Sequence, residues 1–166
     1  VLMRVTDVFL AFPSLILAMA VAAALGTSLQ NAIIALAVVS WPSFARVARG
    51  QILAVKQNLF VESARAAGAG SVRIMRVHIL PNSIQPIIVL AALDVSGTII
   101  SVAGLSFIGL GAHPPAAELG VIISEGQAQL LNFPWVSIAP GAVMFTIAIG
   151  ANLLADVVQE LLDPRR

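Results

Sequence analysis

Four stretches of this sequence, residues 8–25, 29–47, 83–110 and 136–158, are apolar over about the 20 residues a helix needs to cross the hydrocarbon core of a bilayer. No other feature limits the fold as strongly. Hydrophobic residues make up 59% of the chain and charged ones 10%, against roughly 45–50% and 25% in a soluble domain. Too little polar surface remains to face water all round, and the expectation is an all-α membrane protein. A net charge of +1 excludes a strongly basic nucleic-acid binder. The lack of cysteine excludes disulfides, iron–sulfur clusters, thiolate zinc sites and cysteine nucleophiles. His78 and His113 stand far apart without HExxH-like spacing, which argues against a metal centre. The chain begins at Val1 with Arg4 and Asp7 close behind, as expected of a fragment of a longer protein. Arg4, the apolar run 9–17 and Ala20-Val21-Ala22 imitate a signal peptide. Pro13 inside the run, with no soluble domain after it, argues against that reading.

The cations give an orientation. Arg4 precedes the first stretch; Arg46 and Arg49 close the second; Lys56, Arg65, Arg73 and Arg76 fill the polar segment 48–82; Arg165 and Arg166 follow the fourth. With four alternating spans all of them fall on one side, and the turn at 26–28 and the segment 111–135 carry none. The positive-inside bias then predicts that 48–82 and both ends of the chain are cytoplasmic. Trp135 is expected at the outer interface and Trp41 towards the inner one. Within 111–135, Leu119, Ile122, Ile123, Gly126 and Leu130 recur at helical spacing, with Glu118, Glu125 and Gln129 on another face. That pattern fits a short amphipathic helix on the outer surface, or one packed against its own spans.

The polar segment is the informative part. Residues 61–68, Val-Glu-Ser-Ala-Arg-Ala-Ala-Gly, read as a short helix of small residues stopped by Gly68. Ser71 is placed to cap a second helix with an apolar stripe of Val72, Met75 and Ile79 beside Arg73 and Arg76. Leu80-Pro81-Asn82 is expected to end it. The product is a helix–turn–helix knob with an alanine surface and a cationic rim, suited to docking and lacking any grouping of acid, base and nucleophile. An ordinary loop in which Glu62 pairs with Arg65 is the plainer alternative.

Glu62-Ser63-Ala64, three residues, Gly68, nine residues, then His78-Ile79-Leu80-Pro81 resembles the EAA loop of ABC-importer permeases, Glu-Ala-Ala-x3-Gly-x9-Ile-x-Leu-Pro. Ser63 and His78 depart from it, the latter in a form common in the peptide-transport branch. Met3-Arg4 with Asp7, Phe12-Pro13-Ser14, Trp41-Pro42, and Val47-x-Arg49-Gly50-Gln51 are similar to the same branch. So are Leu105 to Gly111 (Leu-Ser-Phe-Ile-Gly-Leu-Gly), Pro114-Pro115, Glu125-Gly126, Pro134-Trp135 and Pro140-Gly141. Asn152-Leu153-Leu154-x-Asp156 and Leu162-Asp163-Pro164-Arg165 complete the set. Nearly the whole chain thus resembles the C-type permease subunit of the dipeptide/oligopeptide/nickel ABC importers. Val102 and Leu119 stand where relatives often carry a carboxylate and a tryptophan.

The resemblance implies a type I ABC-importer transmembrane domain in the bacterial inner membrane, a single domain over 1–166 holding the last four of about six spans. It implies a second permease as heterodimer partner, two cytoplasmic ATPase subunits and an extracytoplasmic binding protein. Glu62, Ser63, Ala64, Arg65, Gly68, Arg73, Arg76, His78, Leu80 and Pro81 would form the ATPase-docking loop. The chain has no GxxxxGK[ST] sequence, so no cofactor is expected in it; ATP and Mg would be bound by the partner ATPases. The residues themselves add one expectation. Asp94 lies mid-span, where an acidic side chain costs about 2.5–3.5 kcal/mol, and Asp94, Thr98 and Ser101 follow i, i+4, i+7. That face is expected to line a translocation cavity or the seam with the partner, unless Asp94 is satisfied locally by Thr98 or the backbone. A channel or secondary carrier would share the hydropathy, but no internal repeat of the kind carriers use is visible; a structural membrane subunit would give the knob no purpose. Cargo, whether dipeptide, oligopeptide, nickel chelate or opine, is not written in these residues.

Overall fold

The computed structural model describes residues 2–162, all-helical with connecting turns and no strand among them. Arg165, Arg166 and the Asp163-Pro164-Arg165 part of the family resemblance lie outside the described residues. Three helices are long and apolar enough to cross a membrane: α3 (Leu29–Lys56), α7 (Gln85–Phe107) and α9 (Trp135–Leu162).

The first apolar stretch is not one continuous span. It consists of α1 (Leu2–Leu10) and α2 (Ser14–Leu25), bent by 94° across residues 11–13. Pro13 explains the break: it lacks an N–H and its ring keeps Phe12 out of the helical region. At about 1.5 Å per residue, the 12 residues of α2 fall short of the roughly 30 Å hydrocarbon core. Helix α1 instead lies against α3. Phe9 meets Trp41 edge-on with centroids 5.6 Å apart, and Asp7 Oδ1 pairs with Arg46 Nη2 at 3.0 Å.

The α2–α3 turn closes on its own side chains. Ser28 caps α3 by accepting from the Asn31 N–H at 3.1 Å, and Asn31 Nδ2 donates to the carbonyls of Leu25 and Gly26 at 2.8 and 2.9 Å. Helix α3 then runs well past residue 47 to Lys56, so Arg46 and Arg49 lie within it rather than closing it. Ile52 and Val55 account for the extension, because they are drawn into an apolar cluster with the segment that follows.

The bundle is joined by small residues. Ala18 and Ala22 of α2, Ala32 and Ala35 of α3, Ala103 of α7, and Ala148 and Ala155 of α9 are buried, while many of the larger aliphatic side chains point outward. Such packing suits lipid, where backbones gain by approaching closely and large apolar side chains need no hiding. One polar tie crosses it: Ser96 Oγ on α7 donates to Asn152 Oδ1 on α9 at 2.6 Å.

Helix α8 (Leu119–Gly126) packs onto α7 and α9, which decides between the two readings of 111–135. A Cβ on Gly120 would stand 2.1 Å from the Ala103 carbonyl oxygen, and one on Gly126 would stand 2.3 Å from Ser137 Oγ. Glycine is needed at 120, where the obstacle is backbone; at 126 the Ser137 hydroxyl would have to turn away. At the opposite end of the bundle, Gln85, Pro86 and Val89 at the start of α7 border a hollow with Gln159 near the end of α9.

Candidate functional site

Two places combine polar groups with a shape that can receive a partner. The first is the knob between α3 and α7, made of α4 (Leu59–Ala66), α5 (Ser71–Arg73), a π-helical segment (Ile74–Ile79) and α6 (Leu80–Ser83). Val61, Ile74 and Ile79 are buried with Val55 of α3 in a cluster of their own. Gly68 stops α4 as the sequence predicts. At φ +82° its N–H donates to the Arg65 carbonyl at 3.0 Å, and Ala69 N–H donates to the Ala64 carbonyl at 3.1 Å. That is the paired bonding of a Schellman turn.

The second half of the knob departs from expectation in three ways. Val72 and Met75 are 66% and 42% exposed, whereas Ile74 and Ile79 are 5% and 3%. The segment is π-helical, with Leu80 N–H donating to the Met75 carbonyl; the wider turn puts residues five apart on one face, so a 3.6-residue period selects the wrong partners. Ser71 makes no side-chain cap, and Gly70 holds the capping position. Pro81 does not end the helical path, which continues to Ser83 and breaks at Ile84. The wide turns before Pro81 give its ring room. Asn82 Nδ2 and Ser83 Oγ donate to the His78 and Ile79 carbonyls at 2.6 and 2.7 Å.

Of the ten residues assigned to the knob's working surface, Ser63, Ala64, Gly68, Arg73 and His78 line one groove of about 540 Å³ with Phe60, Ala67 and Ala69. Phe60 and His78 are in tilted contact at 6.3 Å. Arg65 instead borders a separate hollow with Lys56. Glu62, Arg76, Leu80 and Pro81 are exposed without lining that groove. No ion pair joins Glu62 to Arg65.

The second place is a cleft of about 170 Å³ between α2, α3 and α7. Asp94, Thr98 and Ser101 all line it, together with Gly97. Thr98 Oγ1 donates to Asp94 Oδ2 at 3.4 Å, long for a hydroxyl-to-carboxylate bond. Sequence reasoning missed Ser14 and Ser40, which complete the cleft from α2 and α3 above the apolar Leu15, Leu36 and Val39. A hydroxyl within an apolar stretch was the available signal; the face it occupies depends on how the helices pair.

Among the described residues, apolar helices long enough to cross a membrane and a polar knob between two of them define an all-α membrane protein by class, and the comparisons with known proteins say of which kind. Over residues 1–166 the chain belongs to the family described as binding-protein-dependent transport system inner membrane component, the membrane domain of type I ABC importers. It is 45% identical over 165 residues to the probable D,D-dipeptide transport system permease protein DdpC of Escherichia coli (strain K12), covering 99% of this chain and 55% of that protein. It is 43% identical over 164 residues to the glutathione transport system permease protein GsiD of Shigella flexneri serotype 5b (strain 8401), covering 99% and 54%. The chain therefore spans about half the length of the curated relatives it matches.

Proposed function

We infer that this chain forms the ATPase-coupling and cargo-conducting part of a permease subunit in an ATP-driven peptide importer. The knob is the observation that carries the reading. Its apolar cluster takes Val55 from α3 and Ile79 from the segment leading into α7, so a push on the knob moves two spans together. A motor bound to the groove at Ser63, Gly68, Arg73 and His78 would rock them and switch access from one side of the membrane to the other. The concentration of Arg65, Arg73, Arg76 and Lys56 at this end supports a cytoplasmic position for the knob under the positive-inside bias, and the bent α1–α2 pair, counted as one crossing, would put both ends of the chain on the same side. The motor is a pair of ATPase subunits. A second permease completes the path, and an extracytoplasmic binding protein delivers the cargo. Relatives named for D,D-dipeptide and glutathione transport support a peptide as that cargo. Asp94, Thr98 and Ser101 line the path.

The test is co-purification of the ATPases with the full-length permease in its complex. Gly68→Asp places a side chain where φ is +82° and should abolish recovery of the ATPases while membrane insertion stays normal. Arg73→Glu, which reverses an exposed charge in the groove and disturbs no buried side chain, should reduce recovery too. An intact complex in both variants overturns the docking reading.

A further inference from the structure

We propose that the cleft at Asp94 is a cation site that takes the protonated amino terminus of the passing peptide. The inference rests on the reading of this face as part of the path and names what that face recognises. Five oxygen-bearing side chains, Ser14, Ser40, Asp94, Thr98 and Ser101, converge on the cleft from three helices, and no Lys, Arg or His lines it. The one hydrogen bond recorded to Asp94 is the 3.4 Å contact with Thr98, and no cation of the described residues pairs with it. An ionised carboxylate offers about four acceptor positions, so most of this one's capacity is open. Acidic side chains between membrane helices face a partner group or a water-filled cavity, and among the described residues no basic side chain faces this one.

An ammonium group meets the requirement on every count. It carries three donors and no acceptor, matching a carboxylate that shares its cleft with four hydroxyl-bearing side chains, whereas a peptide's terminal carboxylate has no basic group to meet there. Size agrees as well. A cleft of about 170 Å³ is smaller than the roughly 300–1,000 Å³ of pockets that enclose a drug-sized ligand, so it takes the end of a peptide rather than its length. Leu15, Leu36 and Val39 supply an apolar wall beside it. Recognition of the terminus, indifferent to sequence, is what a conduit for varied peptides requires.

The absence of cysteine from these 166 residues gives a clean probe. In the assembled transporter in nanodiscs, Ser40→Cys is labelled with a cationic trimethylammonium methanethiosulfonate and with its anionic sulfonate counterpart. Each rate is divided by that reagent's rate on a free thiol in solution and read from the mass of the proteolytic peptide that carries residue 40. The cationic reagent should be favoured by about tenfold or more, as expected of a charged cleft with low-dielectric walls. Asp94→Asn should bring the ratio close to one. A dipeptide with a free amino terminus should slow labelling, and its N-acetylated form should not. Equal corrected rates in the parent protein, no labelling by either reagent, or equal protection by both peptides would each overturn the proposal. Labelling needs no ATP hydrolysis, so its failure is separate from a failure of ATPase docking, which the recovery of the complex reports.

Discussion

The knob and the bundle, joined along one helix, are held together by opposite means. In the knob, branched aliphatic side chains are buried: Val55, Val61, Ile74 and Ile79. In the bundle, alanine is the commonest buried residue, with Val39, Leu105 and Val121 the larger apolar exceptions, and many of the large side chains face outward. Water accounts for the first pattern, since burying a large apolar side chain is worth about 1.5–3 kcal/mol. Lipid accounts for the second. Hydrocarbon tails are as apolar as leucine, so helices associate through close backbone approach and a few polar ties. A single chain that changes its packing rule between residues 47 and 59 is built to work at a boundary.

The strongest way to break this contrast is to put bulk where the bundle needs none. Gly120→Ala forces a methyl to within 2.1 Å of the Ala103 carbonyl oxygen. A loss of about 3 kcal/mol or more is expected, read as a lowered thermal midpoint of the reconstituted protein; an unchanged midpoint would mean that α8 does not sit as described. The converse test removes bulk from the knob. Ile79→Ala should cost about 2–4 kcal/mol, visible as faster amide exchange across residues 59–83 with the spans unaffected. Val72→Ala, at an exposed position, should change exchange by less than about 0.5 kcal/mol. If Val72 proved the costlier, the π-helical register would be wrong. A smaller effect than that of Ile79→Ala concerns the polar tie. Breaking the Ser96–Asn152 bond with Ser96→Ala should cost about 0.6–1.7 kcal/mol, and a double-mutant cycle with Asn152→Ala should show coupling of the same size.

The legible parts of the sequence were those in which one period governs a long segment. Apolar length located α3, α7 and α9, and the i, i+4, i+7 spacing of Asp94, Thr98 and Ser101 placed them on one face that the structure finds lining one cleft. Gly68 declared its turn because few other residues adopt φ +82°. Reading failed where a local irregularity changed the period or where a neighbour decided the outcome. The π-helical segment brought Ile74 into the buried cluster and left Val72 and Met75 outside it, while Ile79 of the expected stripe is buried. Pro13 was visible from the start, yet whether a proline kinks a span or breaks it depends on what receives the freed end. Here Trp41 and Arg46 of α3 receive it.

By itself, then, the sequence determined which segments are apolar enough for lipid and where a polar knob interrupts them, because transfer energy and chain length are sums over consecutive residues. Only the tertiary structure decided which hydroxyls join Asp94, how α8 seats on Ala103 and Ser137, and which isoleucines hold the knob. Those outcomes depend on pairs of residues far apart along the chain, and each is fixed by the distance at which two particular backbones can meet.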